Sequence, residues 1–130
     1  MPQNLIDIDL NAEVLAAIDD ALAALETGFA SLIALTLEQR HGLTKMGDKS
    51  EAFCRQAGHV FSDNPGVLPR NFDLAGYQRD IATLDALRPR LVRLGKLHQR
   101  GVDTEMAVGS DLMTNALEGY AVLKVAGKGQ

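Results

Sequence analysis

The stretch Leu97-His98-Gln99-Arg100-Gly101-Val102-Asp103-Thr104-Glu105 decides how this chain folds. Upstream of it, Leu74, Tyr77, Ile81, Leu84, Leu87, Leu91 and Leu94 recur at helical spacing behind Asp73, a good N-cap, and carry an amphipathic helix to about Arg100. Downstream, Met106, Gly109, Met113, Ala116, Tyr120 and Leu123 give the buried side of another helix that Gly127 ends. Glycine closes helices and Asp or Thr opens them, so Gly101 followed by Asp103 or Thr104 reads as a tight turn. Two long helices joined by so short a connection are antiparallel neighbours, the local unit of a helical bundle. Pro89 lies inside the first of them. It removes the amide that would bond the Asp85 carbonyl, so a kink is expected there; a full break would leave Arg88 as a poor N-cap.

The clearest helix comes earlier. Asn11 caps it, and Leu15, Ile18, Leu22, Leu25, Phe29 and Leu32 form a stripe flanked by Val14, Ala21 and Leu35, wide enough to face two other helices. Thr36 and Gln39 have capping-box spacing, which predicts a short helical turn from Leu37 to Gly42. Asp48 and Glu51 have the same spacing and open a third helix carrying Phe53, Ala57, Val60 and Phe61 on one face and ending near Ser62. Asp63 to Phe72, with Asn64, Pro65, Gly66 and Pro69, reads as a long loop. Ahead of all this, Leu5-Ile6-Asp7-Ile8-Asp9-Leu10 alternates with strand period, but no second strand pattern exists to pair with it. It is either an arm whose apolar side lies on the bundle or a strand that pairs with the same segment of a second subunit. The expected fold is therefore all-α: an antiparallel four-helix bundle in a single domain over 1–130, with a short extra helical turn, an extended N-terminal arm over 1–10 and a flexible tail over 127–130.

Length and composition limit the functions open to such a fold. With 130 residues, 46% hydrophobic and 23% charged, the chain is of one-domain size and can offset its ordering entropy by burial. No apolar run is long enough to span a membrane, and Met1-Pro2-Gln3-Asn4 is unlike a signal peptide, so a cytoplasmic protein without a membrane partner is expected. A single cysteine, Cys54, excludes an intrachain disulfide and a thiolate metal cluster. The net charge of −4 divides unevenly: Asp7, Asp9, Glu13, Asp19, Asp20, Glu26, Glu38 and Asp48 face only Arg40 and Lys45 in the first part, whereas bases predominate from Lys49 on. That division suits contacts between helices better than a nucleic-acid footprint, which calls for a strongly basic domain.

Tested motif by motif, the polar residues supply no reaction. A di-iron bundle needs paired Glu-x-x-His motifs on long helices; Glu38-Gln39-Arg40-His41 is one copy on a short turn, and His59 and His98 have no second ligand at helical spacing. Glu51-Ala52-Phe53-Cys54-Arg55 shows no partner base for Cys54, which reads as a small apolar filler. Lys45-Met46-Gly47-Asp48-Lys49-Ser50 places lysines and a glycine at a helix N-terminus, yet Asp48 would occupy the amides a phosphate needs. No catalytic residue, metal ligand or cofactor is assigned. One polar feature stands out: from Arg88 to Arg100 there are five bases and no acid, and Arg90, Arg93, Lys96 and Arg100, with Arg79 earlier, fall on one side of a helix. The same stripe could instead be solvated or face the acids of neighbouring helices. Val92, Leu97, Val122 and Val125 lie off the main apolar stripes and would form an exposed patch if they cluster.

Leu35-Thr36-Leu37-Glu38-Gln39-Arg40, Lys45-Met46-Gly47-Asp48-Lys49-Ser50, Asp85-Ala86-Leu87-Arg88-Pro89 and Asp103-Thr104-Glu105-Met106-Ala107-Val108-Gly109-Ser110-Asp111 resemble segments of a group of small uncharacterised bacterial all-helical proteins. The resemblance spans most of the chain and implies a bacterial helical protein; no activity is established for the group, so it carries no catalytic residue across. Two functions are expected from these readings. The first is a non-catalytic, self-associating helical interaction or structural protein, with a homo-oligomer as its form. The alternative is a module that binds an anionic partner, a phosphorylated ligand or RNA, through Arg79, Arg90, Arg93, Lys96 and Arg100.

Overall fold

The computed structural model describes residues 3–128, whose regular structure is entirely helical, with four α-helices and no strand. α1 spans Ala12–Gly28, α2 Leu37–Gly42, α3 Asp48–Asp63 and α4 Leu74–Lys128, with a 3-10 turn at Pro65–Val67. The caps explain most boundaries. Val14 donates its amide to Asn11 Oδ1 at 2.9 Å, and Thr36 and Gln39 complete a reciprocal capping box at 3.1 and 2.9 Å. Asp73 Oδ1 accepts the Gly76 amide at 2.8 Å as α4 begins. At α3 the cap differs from expectation: Gly47 is the N-cap, Asp48 is already helical, and Glu51 turns away to pair with arginines.

The larger difference is at Gly101. α4 runs unbroken for 55 residues through Pro89 and Gly101, so the two long helices expected on either side of a turn are one. No glycine among the described residues has positive φ, the conformation a glycine-terminated helix end requires. The polar side chains that would have started a new helix are absorbed within the old one. Thr104 Oγ1 donates to the Arg100 carbonyl at 2.8 Å, and Gln99 donates to Asp103 Oδ1 at 2.8 Å, both one turn apart. Gly127 likewise lies inside α4, which reaches Lys128; the rest of the expected tail, and Met1 and Pro2 of the expected arm, lie outside the described residues.

The chain divides into two compact units. One comprises Ile33 to Arg93, in which α3 runs antiparallel to the first turns of α4. Glu51 meets Arg88, Arg55 meets Asp85, Gly58 lies under Ile81 and Ser62 meets Gln78. Gly58 is buried, and a methyl group there would lie 3.1 Å from Ile81 Cδ1 and 3.2 Å from Tyr77 Cε1, so the lack of a side chain permits this approach. Tyr77 donates its hydroxyl to the Cys54 carbonyl at 2.6 Å and stacks edge-on with Phe61, which in turn meets Phe72. The face of α3 turned to α4 is therefore that of Cys54, Gly58 and Phe61; Phe53, expected on it, is 72% exposed.

The other unit joins the described residues up to Leu32 with α4 from Leu94 on. Gln3 to Leu10 is neither helix nor strand, and its first residues are tied to α4 by the side chains of Ser110, Asp111 and Asn115. α1 ends at Gly28, where the Phe29 amide bonds the Leu25 carbonyl, so Phe29 and Leu32 fall beyond the helix.

Neither unit has an apolar interior: no hydrophobic residue among those described is buried. The stripe of α1 that predicts a core, Leu15, Ile18, Leu22 and Leu25, is 38–49% exposed.

Candidate functional site

The five bases of the expected anion site all lie on α4. Arg79 sits 3.7 Å from Asp73, beside a shallow groove that Asp80 also lines, so acids surround it. Arg90 donates to the Ala86 carbonyl of its own helix at 2.5 Å. Arg93, Lys96 and Arg100 make no ion pair with any described residue. Sequence reasoning did not foresee which basic residues are neutralised. Arg88 and Arg55, the first pointing away from the stripe, form a network with Glu51 and Asp85, at 2.7 Å for Arg88 with Glu51, 3.0 Å for Arg55 with Glu51 and 2.5 Å for Arg55 with Asp85. Hydrogen bonds from Arg88 and then Arg55 lower the Glu51 carboxyl to about 2, and Arg55 holds Asp85 below its usual range. The network clamps α3 to α4 and leaves its arginines little free charge for a ligand.

Asp111, 8% exposed, is the one buried charged residue among those described. Its carboxylate accepts the amides of Leu5 at 2.8 Å and Ile6 at 3.2 Å and the side-chain amide of Gln3 at 3.0 Å. The Leu5 amide is the largest influence lowering its pKa, against the opposing effect of burial. Ser110 and Asn115 complete the clasp on Gln3. Nothing in the spacing of Gly109-Ser110-Asp111 announces that role: Asp111 lies on the side of the helix opposite Met106, Met113 and Tyr120, where an exposed acid is expected.

Two grooves lie beside His59 and the Cys54 thiol. A groove of about 340 Å³ is lined by Arg55, Gly58, His59, Ser62, Gln78, Ile81 and Asp85, but Ser62 Oγ is engaged with Gly58 and Gln78, and Asp85 with Arg55. Cys54, half-buried, lines a different groove with Met46, Tyr77 and Leu84. Neither groove brings two of Cys54, His41, His59 and His98 together. No cluster of three or more metal-ligating side chains occurs among the described residues, and none of the described helices is long and apolar enough to cross a membrane.

An apolar depression lies in the unit formed by α1 and the C-terminal part of α4. Ile8, Leu10 and Ile18 form one wall, and Leu97, Arg100, Gly101, Thr104, Glu105 and Val108 the floor, enclosing about 680 Å³. Leu97 is 62% exposed, and nothing lies within 4 Å of where a Gly101 side chain would begin, so the floor is open to a second helix. Beyond it α4 continues to expose Met106, Leu112, Met113, Leu117, Tyr120, Val122, Leu123 and Val125. Val92, Leu97, Val122 and Val125, the residues of the expected patch, are each exposed, at points spread along α4. Comparison of the chain with protein-family models, curated proteins and solved structures gave no match.

Proposed function

We propose that this chain is a non-catalytic, self-associating helical protein whose apolar interior forms between copies. The observation that carries this reading is that no hydrophobic residue among those described is buried, in a helical structure that displays the α1 leucines and the C-terminal half of α4. Burial of apolar surface is the main favourable term in folding, at about 25 cal/mol per Å². An antiparallel four-helix bundle belongs to this proposal as an intermolecular arrangement, with each copy contributing α1 and the C-terminal part of α4. The cytoplasm, expected from the sequence, is the compartment proposed with it.

The test is absolute mass by light scattering over a concentration series, with helicity followed by circular dichroism. A dimer or larger assembly, with helicity lost on dilution, is the expected result; a monomer of unchanged helicity at every concentration rules the reading out.

A second reading has its own observation. Arg93, Lys96 and Arg100 carry charge that no described acid neutralises, which supports a site for an anionic partner. Replacing Arg90, Arg93 and Arg100 with Gln abolishes salt-sensitive retention on an anionic matrix if the stripe binds such partners.

A further inference from the structure

We infer that the groove floored by Leu97, Gly101, Thr104 and Val108 receives the same segment of α4 from a second copy, running antiparallel across a two-fold axis between Val102 and Asp103. The inference rests on the self-association proposed above and specifies where and in which direction it occurs.

Three observations lead to it. First, the floor maps onto itself. Leu97, Gly101, Thr104 and Val108 recur at spacings of four, three and four, the seam along which two helices interlock. With the axis between Val102 and Asp103, Leu97 of one copy faces Val108 of the other and Gly101 faces Thr104, so each layer pairs a larger residue with one that fits it. Arg100 and Glu105, the polar members of the floor, are exchanged by the same operation. Such self-complementarity is what an isologous two-fold interface requires. The glycine matters here because an open floor at Gly101 lets the facing backbone come close.

Second, the charge order on this part of α4 has a direction. From Leu94 to the axis lie Lys96 and Arg100 and no acid; from the axis to Leu123 lie Asp103, Glu105, Asp111 and Glu118 and no base. An antiparallel pair sets each basic stretch against an acidic one, whereas a parallel pair sets like against like. Lys96, Arg100, Asp103, Glu105 and Glu118 make no ion pair among the described residues, so they are available for this role.

Third, the groove adjoins the exposed apolar stripe of α1. Its wall includes Ile18 of the α1 stripe, so a helix seated there extends burial toward Leu15, Leu22 and Leu25. A contact limited to the groove would be smaller than a stable dimer needs; continuity with that stripe supplies the rest.

The test starts from a Cys54→Ser chain shown by light scattering to keep the native mass. One preparation carries Leu97→Cys and a second, distinguishable in mass, carries Val108→Cys; the two are mixed, allowed to exchange and oxidised mildly. The inferred arrangement gives mainly mixed disulfides between the two variants, because a disulfide needs Cα atoms within about 7 Å. Predominant disulfides within each variant would indicate parallel helices and overturn the inference. A native mass with no cross-link would place the interface elsewhere, overturning this inference while leaving self-association standing; a monomeric mass would remove both. An independent variant avoids cysteine altogether: Lys96→Glu with Arg100→Glu, whose helicity is checked on its own, weakens association at least ten-fold at low salt and less at high salt. Unchanged association at low salt would also overturn the antiparallel assignment.

Discussion

The Asp111 carboxylate accepts the Leu5 amide at 2.8 Å, joining the start of the described chain to a helix more than a hundred residues later in sequence. The same carboxylate takes the Ile6 amide, so one side chain satisfies two consecutive backbone donors. Replacing Asp111 with Ala leaves both amides without that acceptor. Hydrogen exchange at Leu5 and Ile6 should then quicken by about ten-fold or more, since hydrogen bonds to charged groups are the stronger kind. Asp111→Asn, which keeps a carbonyl oxygen, should lie between the two. Equal protection in all three proteins would show that the clasp is not what holds the segment.

Acid should release it in the same way. The folded-state pKa of Asp111 is lowered, so its contribution is complete above the ordinary aspartate value near 4 and is lost as pH falls through the lower folded value. The Leu5 and Ile6 amides are therefore expected to keep their protection down to about pH 4 and to lose it below, a change absent from Asp111→Asn.

Glu51 sets a separate acid limit for the unit of α3 and the first turns of α4. Its pKa falls from the model-compound value of 4.5 to about 2, so pairing with Arg88 and Arg55 contributes fully above about pH 4.5 and disappears as the pH approaches 2. Glu51→Gln should flatten the pH dependence of thermal unfolding in that window. Because the groups are partly exposed, high salt should weaken the wild-type effect as well.

Gly58→Leu should separate α3 from α4. A branched side chain cannot fit where even a methyl group would lie 3.1–3.2 Å from Ile81 and Tyr77, and the Tyr77 ring is held by Cys54 and Phe61. A loss of about 1–3 kcal/mol is expected from such overpacking. Unfolding followed by Tyr77 fluorescence, in a Tyr120→Phe background, would measure it.

Gly101→Ala distinguishes a helix from a turn. In the dissociated chain, where no atom lies within 4 Å of the new methyl group, alanine should favour a continuous helix by up to about 1 kcal/mol. At a glycine turn of positive φ it would destabilise instead. Thermal unfolding monitored at 222 nm gives the sign.

Caps and apolar periodicity made the helical class and most helix starts legible. Asn11, Thr36 with Gln39, and Asp73 act through bonds that depend only on neighbours a turn away, so their residue types sufficed. Gly101 and Asp48 were misleading for a related reason. A glycine or an aspartate is permitted at a helix end without being confined to one, and at Gly101 nothing else in the local sequence forces the chain to turn. The face of α3 was misplaced because Phe53 was weighed by hydrophobicity, whereas the approach at Gly58 fixes which side meets α4. The basic stripe was legible as a stripe. Its division into arginines already paired and bases left free was not, because that depends on Glu51 and Asp85 arriving from other turns and another helix. The Asp111 clasp likewise joins residues too distant in sequence for any spacing rule.

The bond between Asp111 and the two amides bears on solubility as well as on attachment. Leu5 to Leu10 alternates as a strand does, and a free strand can pair with the same segment of another molecule through its backbone amides. While Asp111 holds the donors of Leu5 and Ile6, that template is incomplete. Losing one carboxylate on a distant helix would leave the Leu5 and Ile6 donors free to pair with another strand.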